Sequence, residues 1–481
     1  MQKYPRASGA YEKLEDQNAM KKLLGSTLAL ALLVPASANA ELLKNFKMGG
    51  SLEVDAVSAN NVKDLNTQKY DHISTVLTRL MVKADWDLLD DVHAHVSIDK
   101  NDRTYGGTTG GNGGGSQDLN TIQSKLFVDE SYVKIDKLFG ALDTTIGRQY
   151  YGESGDLVIY YGPKYNLYGL PITTLDGGRF DWNGEKVGVT LLGAKTTGGA
   201  LGATDTGNVN LYGADVHAKP MDNVSGSAYL YGRNTINSGS GTNAGVVAND
   251  NLYVLGLKGK ITAGPAWLKA EFAKDFGQQH NTTNAFGTPT VNNNYTGWAG
   301  KLDLGAKVDL NNLGAITGWG EFGIGSGGQG SNRNFQAIAG DYRPGTIWGR
   351  FSSNAVGASL GGTGAGTGYT SQPGQTLSNL VVIGAGAKVT PAALSKLTAG
   401  LSWWNFRAQN ETAVHVASPT DTKGNVNYGN EYDLDLSWAH SENVTVSAGL
   451  AAFQPGRLIN TVNAGGTSPV RLAYTDLAVK F

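Results

Sequence analysis

Hydrophobic and polar residues alternate with a period of two along much of this chain. Val76, Thr78, Leu80, Val82, Ala84 and Trp86 interleave with Leu77, Arg79, Met81, Lys83 and Asp85. Soon after, Val92, Ala94, Val96 and Ile98 interleave with His93, His95, Ser97 and Asp99. Successive side chains of a strand point to opposite faces, so each segment has one apolar and one mostly polar face. The connection between them, residues 87–91, is tight, whereas the next, residues 101–120, is long, polar and glycine-rich. Short turns alternating with long loops are expected of a membrane barrel with periplasmic turns and extracellular loops.

The pattern runs to the end of the chain. Further tight turns are read at 136–141, 183–186, 220–223, 262–265, 311–314, 390–396 and 440–443. Between them lie long polar segments near 59–72, 101–121, 152–177, 197–207, 234–250, 277–294, 326–376, 408–428 and 454–468. Eight turns and nine loops join eighteen strands, an even number that puts both ends of the barrel on the periplasmic side. The last strand reads Leu477-Ala478-Val479-Lys480-Phe481, with Leu477, Val479 and the terminal aromatic on one face. It is expected to pair with the strand near residues 46–58 and close the cylinder. The expected fold class is all-β: a transmembrane antiparallel β-barrel of about 18 strands. Soluble sandwiches and propellers do not regularly alternate their turn lengths in this way.

The beginning of the chain adds a compartment. From Met20, the basic pair Lys21 and Lys22 precedes an apolar stretch over residues 23–34 and the small-residue pattern Ala38-Asn39-Ala40. That order reads as a secretory signal peptide over 20–40, cleaved after Ala40. Its apolar core falls short of the ~20 residues a spanning helix needs. Residues 1–19 are polar and read as a non-native upstream extension, which leaves 41–481 as a single outer-membrane barrel domain of a Gram-negative-type cell. No later segment is long and apolar enough for a spanning helix. A closed barrel is then the structure that pairs every backbone group inside lipid.

Composition narrows the chemistry. Without residues 1–40 the chain holds 34 basic and 38 acidic residues, a net charge of about −4, which points to no polyelectrolyte partner and no nucleic acid. The absence of cysteine excludes disulfides and thiolate metal sites. Barrels of 16 to 18 strands enclose water, so a polar lumen becomes the working surface.

Two stretches carry a family resemblance. The first is Val128-Asp129-Glu130-Ser131-Tyr132-Val133-Lys134, then Leu138-Phe139-Gly140, Gly147-Arg148-Gln149 and Tyr151-Gly152. The second is Gly429-Asn430-Glu431-Tyr432-Asp433-Leu434, followed by Phe453-Gln454-Pro455-Gly456. Together they resemble the N- and C-terminal signatures of the alginate-export family of outer-membrane porins. The resemblance implies an eighteen-stranded monomeric barrel whose arginine-rich constriction passes anionic polysaccharide.

The pleat supplies candidate pore residues. Opposite the apolar sets stand Glu53, Asp55, Arg79, Lys83, Asp85, Arg179, Asp181, Asp215, His217, Lys219, Tyr229, Tyr231, Arg233, Lys258, Lys260, Lys269, Glu271, Asp275, Lys301, Asp303, Lys307, Asp309, Glu321, Lys388, Glu431, Asp433 and Asp435. Fixed charge in a water-filled pore biases which solutes enter. The selectivity candidates are Arg79, Lys83, Arg148, Arg179, Arg233, Lys301, Lys307, Asp303, Glu431 and Asp433. Arg148 poses a difficulty: Leu142, Thr144 and Ile146 look lipid-facing, and strict alternation places Arg148 with them. A bulge at Gly147 or a rim position would resolve it, and the lumenal placement is the expectation. Guanidinium suits carboxylated sugars, yet the acidic residues nearly balance the basic ones.

Loops are expected to set the bore. The segment from Ser326 to Thr376, with Arg333, Arg343 and Arg350, exceeds what a hairpin needs. A second candidate is 152–177, with Tyr160, Tyr161, Lys164, Tyr165 and Tyr168. Enzyme-like matches lack their setting. Gly357-Ala358-Ser359-Leu360-Gly361 lies in a glycine-rich loop, and no helix follows Gly323, Gly325 and Gly328. His93 and His95 share a strand face without an identifiable third ligand, so no catalytic, cofactor or metal site is read.

The expected function is diffusion of hydrated anionic or carbohydrate-like solutes, extending to alginate-like polysaccharide export with periplasmic partners. A general uptake porin, or a loop-plugged barrel acting as adhesin or scaffold, has the same sequence features. The expected partners are outer-membrane lipid and lipopolysaccharide, the barrel-assembly machinery during biogenesis, and the solute itself.

Overall fold

A computed structural model describes residues 44–61, 72–104, 126–165, 167, 172–197, 208–238, 247–279, 293–328, 333–350, 376–410, 426–462 and 467–481. Residues 1–40, read above as upstream extension and signal peptide, lie outside them, as do Tyr168 and the Gly357–361 motif. Among the described residues, eighteen long strands form the wall. In the first half these are β1 (Lys44–Asn60), β2 (His72–Leu89), β3 (Val92–Thr104), β4 (Leu126–Leu138), β5 (Leu142–Gln149), β6 (Leu175–Asn183), β7 (Val187–Thr197), β8 (Val209–Met221) and β9 (Val224–Ser238). The second half comprises β10 (Val247–Ala263), β11 (Ala266–Gln279), β12 (Trp298–Asp309), β13 (Gly314–Gly325), β14 (Leu380–Pro391), β15 (Leu397–Arg407), β16 (Asn427–Ala439), β17 (Val444–Pro455) and β18 (Val470–Lys480). Each strand is antiparallel to the next, and β18 returns to β1. The result is a closed antiparallel barrel without a free edge.

Closure joins the expected pair of strands. Glu53 stands opposite Ala478 and Asp55 opposite Asp476. Phe481 donates its backbone N–H to the Gly50 carbonyl at 3.0 Å, and Gly50 donates back at 2.8 Å. A side chain at Gly50 would meet both the Met81 carbonyl and the Phe481 ring, so the seam needs a glycine there.

Each strand's two faces have separate fates. The outward set includes Leu257 and Leu401, 60% and 66% exposed, while no described helix is long and apolar enough to cross a membrane. Leaving such a wall in water would be costly; in lipid it is the favoured surface. The core lies inside the cylinder. Leu157, Ile159, Phe335, Tyr342, Ile347 and Trp348, all from two loops, are buried with the inward residues Leu211, Leu252, Phe406 and Phe453. The described parts of both loops expected to narrow the bore therefore fold inward.

Candidate functional site

The first inward segment leaves β5, one of the shortest wall strands, and doubles back so that Tyr151–Gly152 pairs with Tyr160–Tyr161. It then meets the second inward segment side by side. Tyr160 donates its N–H to the Ala339 carbonyl at 2.8 Å, Ala339 to Val158 at 2.9 Å and Asp341 to Asp156 at 2.9 Å. This parallel ladder satisfies backbone groups that burial would otherwise leave unpaired. Wall residues hold it from outside. Glu271 accepts the Leu157 N–H at 3.1 Å, Asp275 accepts the Gln336 N–H at 2.7 Å, and the Tyr151 and Tyr231 hydroxyls meet at 2.9 Å. Lys258 reaches the loop's Asp156 at 3.0 Å.

The second segment is fixed by a carboxylate. Gly345–Arg350 forms a single π-helical turn, and Glu431 of β16 accepts the backbone N–H groups of Ile347 and Trp348 at 2.6 and 2.9 Å. Trp348 stacks on Phe406 with ring centroids 4.5 Å apart. Gly345 has φ +74°, and a Cβ there would lie 2.8 Å from the Glu431 carboxylate. A larger residue would thus pay twice, in backbone strain and in contact. The turn delivers Arg350 over the Tyr165 ring at 4.4 Å and the Tyr474 ring at 5.3 Å, 3.8 Å from Asp435. Nearby, Arg343 pairs with Asp341 at 2.6 Å and donates to the Tyr165 carbonyl at 3.2 Å. Lys164 donates to the Gly340 carbonyl at 3.3 Å, and burial holds its ammonium below the ordinary lysine range.

The sequence candidates divide three ways. Arg79, Arg233, Lys301, Glu431 and Asp433 face inward but brace the loops or the wall. Arg79 pairs with Glu53 and reaches the Lys164 carbonyl, while Arg233 reaches the Ile338 carbonyl at 3.5 Å. Lys301 pairs with Asp303 at 3.2 Å, and Asp433 accepts from Ser402 at 3.2 Å. Arg179 faces inward and is tied to Asp181 at 2.6 Å. Lys83 and Lys307 face inward and are exposed. Of the loop arginines, Arg343 and Arg350 belong to the constriction. Arg333 does not: it is exposed and lies beside Gly328.

Arg148 is a correction. It stands opposite Ser131 and Asp176, with Ile146 beside it on the outer face, and no extra residue interrupts either ladder at Gly147. Gly147 adopts φ +133° without re-aiming its neighbour. Arg148 instead sits at the long-loop end of β5, where Asp176 takes its Nε and Nη2 at 2.8 Å each and Val128 accepts from Nη1 at 3.1 Å. Strict alternation wins, because a carboxylate on the same face neutralises the guanidinium.

What faces water differs from what faces inward. Asp55, Asp99, Asp275 and Glu431 are 0% exposed, and Asp129 and Asp433 are nearly so. The inward lysines Lys83, Lys260, Lys269, Lys307, Lys388 and Lys480 are exposed, and none has an ion-pair partner among the described residues. Lys260 and Lys269 stand directly opposite each other on β10 and β11, where like charges repel. Both line a cavity of about 820 Å³ on the short-turn side of the paired loops. Sequence alternation found these positions but weighed every inward charge equally; it also passed over Trp348, visible only as a lone tryptophan in a glycine-rich loop.

At the short-turn end, His93 lies 2.6 Å from Asp87 and 3.1 Å from Asp136, and His95 lies 2.6 Å from Asp85. No group of three or more ligands placed to hold a metal occurs among the described residues.

No protein-family profile and no curated protein matches the chain. Solved structures do. OccAB1 of Acinetobacter baumannii aligns with a TM-score of 0.52 at 11% identity, covering 92% of this chain and 98% of that one. OpdQ of Pseudomonas aeruginosa gives 0.51 at 10% identity over 92% and 99%. The outer membrane protein OprD of the same organism gives 0.51 at 10% over 91% and 94%. At such identities the likeness is one of fold. It upholds the outer-membrane porin fold and lends nothing to the alginate-export family that the two sequence stretches resemble.

Proposed function

We propose that this chain is an outer-membrane channel through which small, hydrated, preferentially anionic solutes enter by diffusion. One observation carries the reading: six inward lysines, Lys83, Lys260, Lys269, Lys307, Lys388 and Lys480, are exposed without ion-pair partners among the described residues, while Asp55, Asp99, Asp129, Asp275, Glu431 and Asp433 are buried. The potential a solute meets is therefore more positive than the composition suggests. Paired loops across the bore suit small solutes, and carboxylates match the donors of Lys and Arg. The porin fold supports a channel and an outer-membrane location, with the short turns toward the periplasm. Export through a cleaved signal peptide and insertion by the barrel-assembly machinery complete the reading. Polysaccharide export receives no support from the comparisons, so the general uptake porin is preferred to it.

Purified protein in a planar bilayer tests this. Defined single-channel steps are expected, with a reversal potential in a salt gradient that reports anion preference. Silent membranes would sink the channel and leave the plugged adhesin or scaffold; cation preference would sink the anionic substrate class alone.

A further inference from the structure

The outer wall over β15 to β18 carries a graded surface. Its upper row, in register across the tilted strands, is Trp403, Tyr432, Ala452 and Arg471, ending at Asn60 of β1. One step toward the long loops lie Asn405, Asn430 and Gln454; one step away lie Leu401, Leu434, Leu450 and Ala473. Amides, then aromatics with one arginine, then aliphatics: this is the order of an interface between headgroup and hydrocarbon. Ala452 leaves a gap between the Tyr432 ring and Arg471, opening a groove of about 700 Å³ whose outward lining is apolar except for Arg471.

Arg471 is the odd member. It is exposed, has no ion-pair partner among the described residues, and no Asp or Glu occupies an outward position on β15–β18 or from Leu52 to Asn60. Arg148, on another part of the wall, is neutralised by Asp176. A bare guanidinium beside an apolar groove calls for an anion that carries its own hydrocarbon.

We propose that this face binds a phosphorylated, multiply acylated glycolipid of the outer leaflet. Arg471 takes a phosphate, the groove over Ala452 and Leu450 takes an acyl chain, and the amides of Asn405, Asn430 and Gln454 face the sugar. The site is independent of what the pore conducts.

The test is native mass spectrometry of the full, detergent-solubilised barrel titrated with bisphosphorylated lipid A, with dephosphorylated lipid A and phosphatidylglycerol as comparison lipids. Bound bisphosphorylated lipid A is expected on the unaltered protein. Arg471→Gln should weaken it about tenfold, the loss of one charge-assisted contact. Ala452→Phe, which fills the groove, should weaken it similarly, while Arg471→Lys should retain most binding and Arg148→Gln all of it. Heat-modifiable gel migration confirms that each variant is a folded barrel. Unchanged binding by both Arg471→Gln and Ala452→Phe would overturn the site; equal retention of dephosphorylated lipid or phosphatidylglycerol would overturn the proposed ligand.

Discussion

Glu431 is an inward carboxylate that never meets the solute. Its two oxygens accept the backbone N–H groups of Ile347 and Trp348, so Glu431→Gln puts an amide nitrogen in place of one acceptor and leaves one oxygen to serve two donors. An orphaned buried donor costs about 1–3 kcal/mol; the variant should stay a barrel by gel migration but show larger, noisier conductance steps. Lys260 and Lys269 are the reverse case, exposed, opposed and without ion-pair partners. Replacing both by Glu should move the reversal potential toward cation preference, and an unchanged value would remove them from selectivity. Arg148→Ala should leave that potential where it was, because its side chain lies on the outer face with Asp176. Both glutamate and arginine were prominent in the sequence, and both matter for position more than for permeation.

At the scale of elements, the lengths of β5 and β6 explain the constriction. They span 8 and 9 residues, against 18 in β2. The chain between them turns into the lumen, where its backbone would be unsatisfied without the second segment running alongside. The two loops are therefore expected to act as one unit. Replacing residues 335–348 by a short Gly-Ser linker should raise single-channel conductance several-fold and also loosen residues 156–160, seen as faster amide exchange there. Slow exchange at 156–160 after the deletion would mean that the wall contacts of Glu271 and Lys258 suffice to hold the first loop.

For the whole molecule, closure rests on the seam between β18 and β1. Removing Phe481 deletes both hydrogen bonds to Gly50 and the ring that covers it; the fraction of heat-modifiable barrel recovered on refolding should fall, and unimpaired refolding would show that the remaining ladder closes the cylinder alone. The sequence by itself determined a barrel of about eighteen strands, the alternation of turns and loops, most of the inward set and the closing pair, because a period of two assigns faces residue by residue and turn chemistry is local. It also marked both segments that enter the lumen, by their length. Only the tertiary structure decided which inward charges meet water, that Arg148 stays outside, and that Trp348 and Glu431 anchor the constriction. Burial and ion pairing are set by neighbours hundreds of positions away, as Asp55 and Asp476 are across the seam, and no local pattern encodes them.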